Sequence, residues 1–272
     1  MGPDFSSPTE ERNPHTADID RLPALEVLRR INDEDARVPA AVRAVLPDLA
    51  TLVDKALGAV RAGGSVHYFG AGSSGRVGLI DAVELIPTYG IPDDLVVGHL
   101  AGGDAALRVA VEGLEDDPAE GARDAAQIGA RDVAVGLTAS GRTPYVGGAL
   151  ERAGQAGAFT ALLTSNPSAP LASAAQLVLC LDTGPEAVAG STRMKAATAQ
   201  KLALNAFSTA LMVGLGRTRS NLMVGLRPTN QKLRERSVGL LVELTGESEE
   251  RCREALGSVG GEVSEALSLL QP

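Results

Sequence analysis

A chain of 272 residues, 44% of them hydrophobic and 22% charged, carries enough apolar material for one large α/β domain, or for one domain with a small appendage, and is not disordered in composition. A formal net charge of -9, no Trp, four Phe and three Tyr exclude attraction to nucleic-acid backbone or anionic membrane, and leave few rings on which bases could stack. The two cysteines, Cys180 and Cys252, match no metal spacing, and Cys180 reads as a buried thiol within the apolar run 177–181. Neither a signal-peptide apolar region nor a bilayer-length apolar stretch is present in the sequence, so a cytoplasmic location is expected.

Residues 1–17 place Pro3, Pro8 and Pro14 among polar side chains and read as an extended arm that frays unless a surface holds it. Residues 20–34 read as a helix. After Pro39, apolar residues recur at helical spacing from Val42 to Val60, ending at Gly63-Gly64. Short strands are then expected at 66–69, 95–100, 133–137, 158–163 and 176–181, alternating with helical stretches that include 105–115. This alternation predicts a mainly parallel sheet inside a three-layer α/β sandwich with right-handed crossovers, whose ligands bind beyond the carboxyl ends of the strands. From about 195 the chain reads as almost wholly helical. The expected divisions are an arm at 1–19, the α/β domain with its N-terminal helices at 20–233, and a helical tail at 234–272.

Two strand ends carry the same chemistry. Gly70-Ala71-Gly72-Ser73-Ser74-Gly75-Arg76 follows the first strand and Thr138-Ala139-Ser140-Gly141-Arg142-Thr143 the third. The first is superficially a dinucleotide fingerprint, but hydroxyls beside exposed helix-start amides favour a phosphate. Repetition makes one convergent anion pocket the better reading, with Ser73, Ser74, Gly75, Arg76, Ser140, Gly141, Arg142 and Thr143 as its residues. A third polar turn, Ser191-Thr192-Arg193-Met194-Lys195, supplies Ser191 and Lys195 as further candidates. Each single hydroxyl also reads as an ordinary helix cap, and each arginine as a loop brace.

For proton transfer the sequence offers histidines or carboxylates. His67 and His99 fall in or near strands, where packing is the expected role. Among carboxylates, Glu84 follows the first anion loop on an apolar helical stretch, while Glu112 and Glu115 share one side of the expected helix 105–115.

These loops, together with Thr9-Glu10-Glu11-Arg12-Asn13-Pro14, the run 110–116 and Asn221-Leu222-Met223-Val224, resemble those of the N-acetylmuramic acid 6-phosphate etherases. That family lies within the sugar isomerase (SIS) group of phosphosugar-binding domains. The resemblance implies cleavage of the D-lactyl ether of N-acetylmuramic acid 6-phosphate to N-acetylglucosamine 6-phosphate and D-lactate during cell-wall recycling. It also implies a homodimer that needs neither metal nor other cofactor, and catalytic carboxylates at Glu84 and Glu115 rather than Glu112. Gly225 stands where the family pattern has Asp, and Val83 and Leu85 make the surroundings of Glu84 more apolar than usual. A phosphosugar-sensing regulator and a sugar-phosphate isomerase are the alternatives.

Overall fold

The structure is a computed structural model that describes residues 7–109, 113–225 and 231–270. Three helices open the chain, α1 (Ala24–Asp35), α2 (Val38–Ala44) and α3 (Leu46–Arg61). The single helix expected after Pro39 is thus two. Pro47 has no amide to donate and is accommodated in the first turn of α3, so the break falls just before it, at Val45.

Next come β1 (Val66–Gly70), α4 (Gly72–Tyr89), β2 (Val96–Leu100), α5 (Ala105–Arg108), α6 (Pro118–Asp124), β3 (Val133–Leu137), α7 (Pro144–Gln155), β4 (Phe159–Thr164), β5 (Leu177–Cys180) and α8 (Lys195–Gly214). The helix expected over 105–115 ends at Arg108, because the β-branched Val109 is extended. Glu115 therefore sits on a separate 3-10 turn, Leu114–Asp116, while Glu112 lies outside the described residues. The hairpin β6 (Thr218–Arg219) and β7 (Leu222–Met223) precedes α9 (Gln231–Thr245), α10 (Glu249–Ser258) and α11 (Val263–Leu270). No described helix is long and apolar enough to cross a membrane.

The chain forms two compact units. The first runs up to Ala82 and resumes over Asp94–Ser208; the second takes Val83–Asp93 and the chain from Thr209 on. In the second, α9 to α11 close on a small core that includes Leu241, Cys252, Val263 and Ala266.

The first unit holds a five-stranded sheet in the order β2-β1-β3-β4-β5, with every neighbouring pair parallel. Alternation of side chains sends Phe69, Ala134 and Leu162 into a core with Tyr145, Val146 and Leu150 of α7. Tyr68 points the other way, edge-on to Phe207 of α8 and donating to Asp81 of α4 at 3.1 Å. Asp81 also accepts from Asn205 and Ser208 of α8, at 2.7 and 3.1 Å, which ties the two helices together. Helices on both faces of the sheet complete a three-layer α/β sandwich. The chain leaves β1 for β2 on one side and later returns past β1 to β3. The strand order therefore reverses between β1 and β3, and the crevice beyond their carboxyl ends is where such sheets bind ligands.

Between β1 and β2, the His67 and His99 rings share a hydrogen bond of 3.0 Å, and Phe69 stacks on His99 with centroids 4.4 Å apart. Burial pushes both imidazoles down, and His67 helps hold His99 at about 4. Both rings are thus neutral at neutral pH and serve the packing of the sheet.

Candidate active site

The end of β1 and the start of α4 make the first wall of the site. Gly70 leaves the sheet, and α4 begins two residues later, with first-turn amides that have no partner inside the helix. The loop turns this tightly only because Gly75 lies on Gly70. A Cβ at Gly75 would sit 2.4 Å from the Gly70 carbonyl oxygen. Behind the turn, Arg76 faces away from the site and braces it, its guanidinium donating to the Ala106 carbonyl at 2.6 and 3.1 Å.

The second wall is the loop from β3 to α7. Thr138 is buried, and its hydroxyl pairs with that of Thr143 at 2.8 Å and accepts from the Gly141 amide at 3.2 Å. The Arg142 amide donates to the Ser140 hydroxyl at 3.3 Å, and the Asn166 side chain holds the Ser140 carbonyl at 2.8 Å. These bonds fix the hydroxyls before any ligand arrives, so little ordering remains to be done on binding.

A cavity of about 350 Å³ opens between the two loops. Ser73 and Ser74 line it from one side, and Ser140, Arg142 and Thr143 from the other. Glu115 and its neighbour Asp116 reach it from the 3-10 turn, and Thr192 from the third polar turn. Half of the sequence candidates, Glu115, Ser73, Ser74, Ser140, Arg142 and Thr143, therefore meet in one place. Gly75 and Gly141 shape the loops without lining the cavity, and Arg76 supports it from outside.

Three candidates sit elsewhere. Ser191 precedes Thr192 but is not among the lining residues. Lys195 is fully buried, its ammonium 2.6 Å from the Glu34 carboxylate, while its amide and that of Ala196 donate to Glu186 at 2.9 and 3.0 Å. It joins α1 to the start of α8 instead of facing the cavity. Glu84 is exposed on α4 and is not among the residues that line the cavity.

Sequence reasoning overlooked Glu10, which lines the cavity from the N-terminal arm, as well as Asp116 and Thr192. The described part of the arm is held rather than frayed. Asn13 donates to the Pro185 carbonyl at 3.1 Å, Thr16 to that of Ala187 at 2.8 Å, and the Gly190 amide to the Thr9 carbonyl at 2.9 Å. The sequence signal was the motif itself, since nothing periodic marks these residues.

Electrostatically, the cavity combines neutral hydroxyl and amide donors with the Arg142 side chain at the two hydroxyl-rich loops, and three acidic residues, Glu10, Glu115 and Asp116, around them. Such a site suits a ligand with an anionic end and a hydroxyl-rich body.

Comparison with known proteins bears on the family and the fold. A model of the glucokinase regulatory protein N-terminal SIS domain matches residues 48–154, and the SIS domain model matches residues 115–210. A phosphoheptose isomerase from Francisella tularensis shares the fold, with a TM-score of 0.55 at 18% identity over 71% of this chain and 100% of that one. Over 264 residues the chain is 57% identical to the N-acetylmuramic acid 6-phosphate etherase of Thermobifida fusca, covering 97% of this chain and 87% of the relative. The protein of that name from Yersinia pestis is 50% identical, over 96% of this chain and 90% of its own length. Identity at this level, running from the arm through the two hydroxyl-rich loops and into the helical tail, means that the chain belongs to the N-acetylmuramic acid 6-phosphate etherase family.

Proposed function

We propose that this protein is a cofactor-independent carbon-oxygen lyase that cleaves the D-lactyl ether of N-acetylmuramic acid 6-phosphate. The observation that carries this reading is the single cavity in which two hydroxyl-rich loops and Glu115 converge. The 6-phosphate is held by the Ser73, Ser74, Ser140 and Thr143 hydroxyls with the first-turn amides of α4, and Arg142 balances its charge.

In the ring-opened sugar the C1 aldehyde acidifies the proton on C2. Glu115 removes that proton, the bond between C3 and the lactyl oxygen breaks, and the departing oxygen takes a proton from a second carboxylate. The products of this half are an unsaturated aldehyde and D-lactate. Water then adds at C3 while C2 is reprotonated, giving N-acetylglucosamine 6-phosphate. One carboxylate must start ionised and the other protonated, which is why the chemistry needs two.

Glu84 is the second carboxylate in this scheme, delivered from the partner subunit of a homodimer. Its helix supports the assignment, since Ile80 and Val83, 63% and 53% exposed, flank Glu84 and give the helix an apolar surface suited to a subunit contact. In a symmetric dimer a residue reaching across serves both sites.

Mixed dimers test this. Glu84→Gln and Glu115→Gln chains, each inactive alone, are mixed in equal amounts and reassembled. Sharing across the interface restores roughly a quarter of wild-type activity, because half the dimers are mixed and each of these carries one intact site. Mixed dimers without activity, formed from subunits that reassemble normally, would place both carboxylates in one chain.

A further inference from the structure

We infer that Glu10 is a substrate-contacting residue that fixes the sugar body of the ligand, supplied by the arm to the cavity of its own chain. The inference rests on the reading of the cavity as a sugar-phosphate site, and it adds a residue whose role neither the resemblance nor the loop motifs assign.

Three observations carry it. First, Glu10 lines the cavity along with Ser73, Ser140 and Glu115, and its carboxylate has no hydrogen-bond or ion-pair partner among the described residues. An acceptor-only group without a protein partner is available to a hydroxyl or amide N–H of a sugar. Second, its position is built. The Ser7 and Thr9 hydroxyls are buried against each other at 2.9 Å, the Thr9 carbonyl takes the Gly190 amide, and Asn13 and Thr16 anchor the following turn. Third, the backbone packed beside the arm leaves room for it. Gly190 has a φ of +75°, and a Cβ there would stand 2.9 Å from the Glu10 carboxylate. Only glycine meets both demands without strain.

The phosphate itself gives no reason for a carboxylate here. With Glu115 and Asp116 already present, another negative charge weakens binding of a dianion by simple repulsion. A carboxylate that touches the sugar reverses this sign, because a lost charge-assisted hydrogen bond outweighs the relieved repulsion.

Calorimetric titration of wild type and Glu10→Ala with inorganic phosphate and with N-acetylglucosamine 6-phosphate separates the two cases. Glu10 is exposed, so the variant keeps the wild-type melting temperature. The expected result is that Glu10→Ala binds the sugar phosphate about tenfold or more weakly while inorganic phosphate binds equally well or better. Glu10→Gln, which retains an acceptor oxygen, falls between. Gly190→Ala reproduces the sugar-phosphate defect, and combining it with Glu10→Ala adds little further loss. Unchanged or tighter sugar-phosphate binding by Glu10→Ala would overturn the proposal. A wild-type protein that bound neither ligand would instead remove the cavity assignment, and the role of Glu10 with it.

Discussion

Glu115→Gln lowers D-lactate release by about 10²–10⁴-fold, the range for losing a positioned general base. Glu115 sits on a short 3-10 turn at the cavity, and Gln there fills the same space. The amide cannot take a proton from C2. Affinity for N-acetylglucosamine 6-phosphate therefore stays near the wild-type value while turnover collapses, the pattern of an interaction made only in the transition state. Hydrogen exchange at C2 of the product in heavy water is lost in parallel. Exchange that survives in Glu115→Gln but disappears in Glu84→Gln would reverse the roles of the two carboxylates.

The largest stability effect is expected far from chemistry, at Lys195. Its ammonium is fully buried 2.6 Å from Glu34, itself almost without solvent contact. Lys195→Met leaves the buried carboxylate with only the exposed Arg37, 3.5 Å away, as a nearby cation, a loss of about 3 kcal/mol and a fall in melting temperature on the order of 10 °C. Burial opposes ionisation of Glu34, but hydrogen bonds from Lys195 and Asn13 prevail and hold its carboxyl below the usual range. The pair therefore stabilises the fold fully above the ordinary carboxylate value and progressively less as pH falls through the lowered one. Without Lys195, burial is opposed only by Asn13 and Arg37, and Glu34 titrates higher than in the wild type. The deficit of Lys195→Met relative to wild type accordingly narrows as the solution is acidified, and adding Glu34→Gln recovers part of it at neutral pH. Thermal melts across pH check all three statements. A melting temperature unchanged at neutral pH would show that Glu34 finds solvent or another donor when Lys195 is gone.

Much of the sheet was readable in the sequence because each strand is a short apolar run closed by small or hydroxyl residues. Val133 to Leu137 followed by Thr138-Ala139-Ser140 is such a case, and the strand and loop lie where that pattern put them. The convergence of the Ser74 and Ser140 loops followed from parallel topology, which brings successive strand ends to one edge. What was not readable depends on partners distant in sequence. Lys195 looks like a ligand in a polar turn, and only its contact with Glu34, 161 positions away, shows it to be structural. Glu10 lies in a segment with no periodicity, held mainly through backbone carbonyls that could belong to any residue type. Arg76 resembles an anion ligand by motif, yet it braces the Ala106 carbonyl. The break in the helix expected over 105–115 turned on local backbone at Val109, which helical pattern alone does not resolve.

The most direct test of the etherase reading is incubation of the purified protein with N-acetylmuramic acid 6-phosphate in heavy water, followed by assay of D-lactate and of the sugar product. The account predicts equal amounts of D-lactate and N-acetylglucosamine 6-phosphate, with deuterium at C2 of the sugar and no added metal or cofactor. Absence of D-lactate from folded protein throughout the pH range in which it stays folded would contradict it.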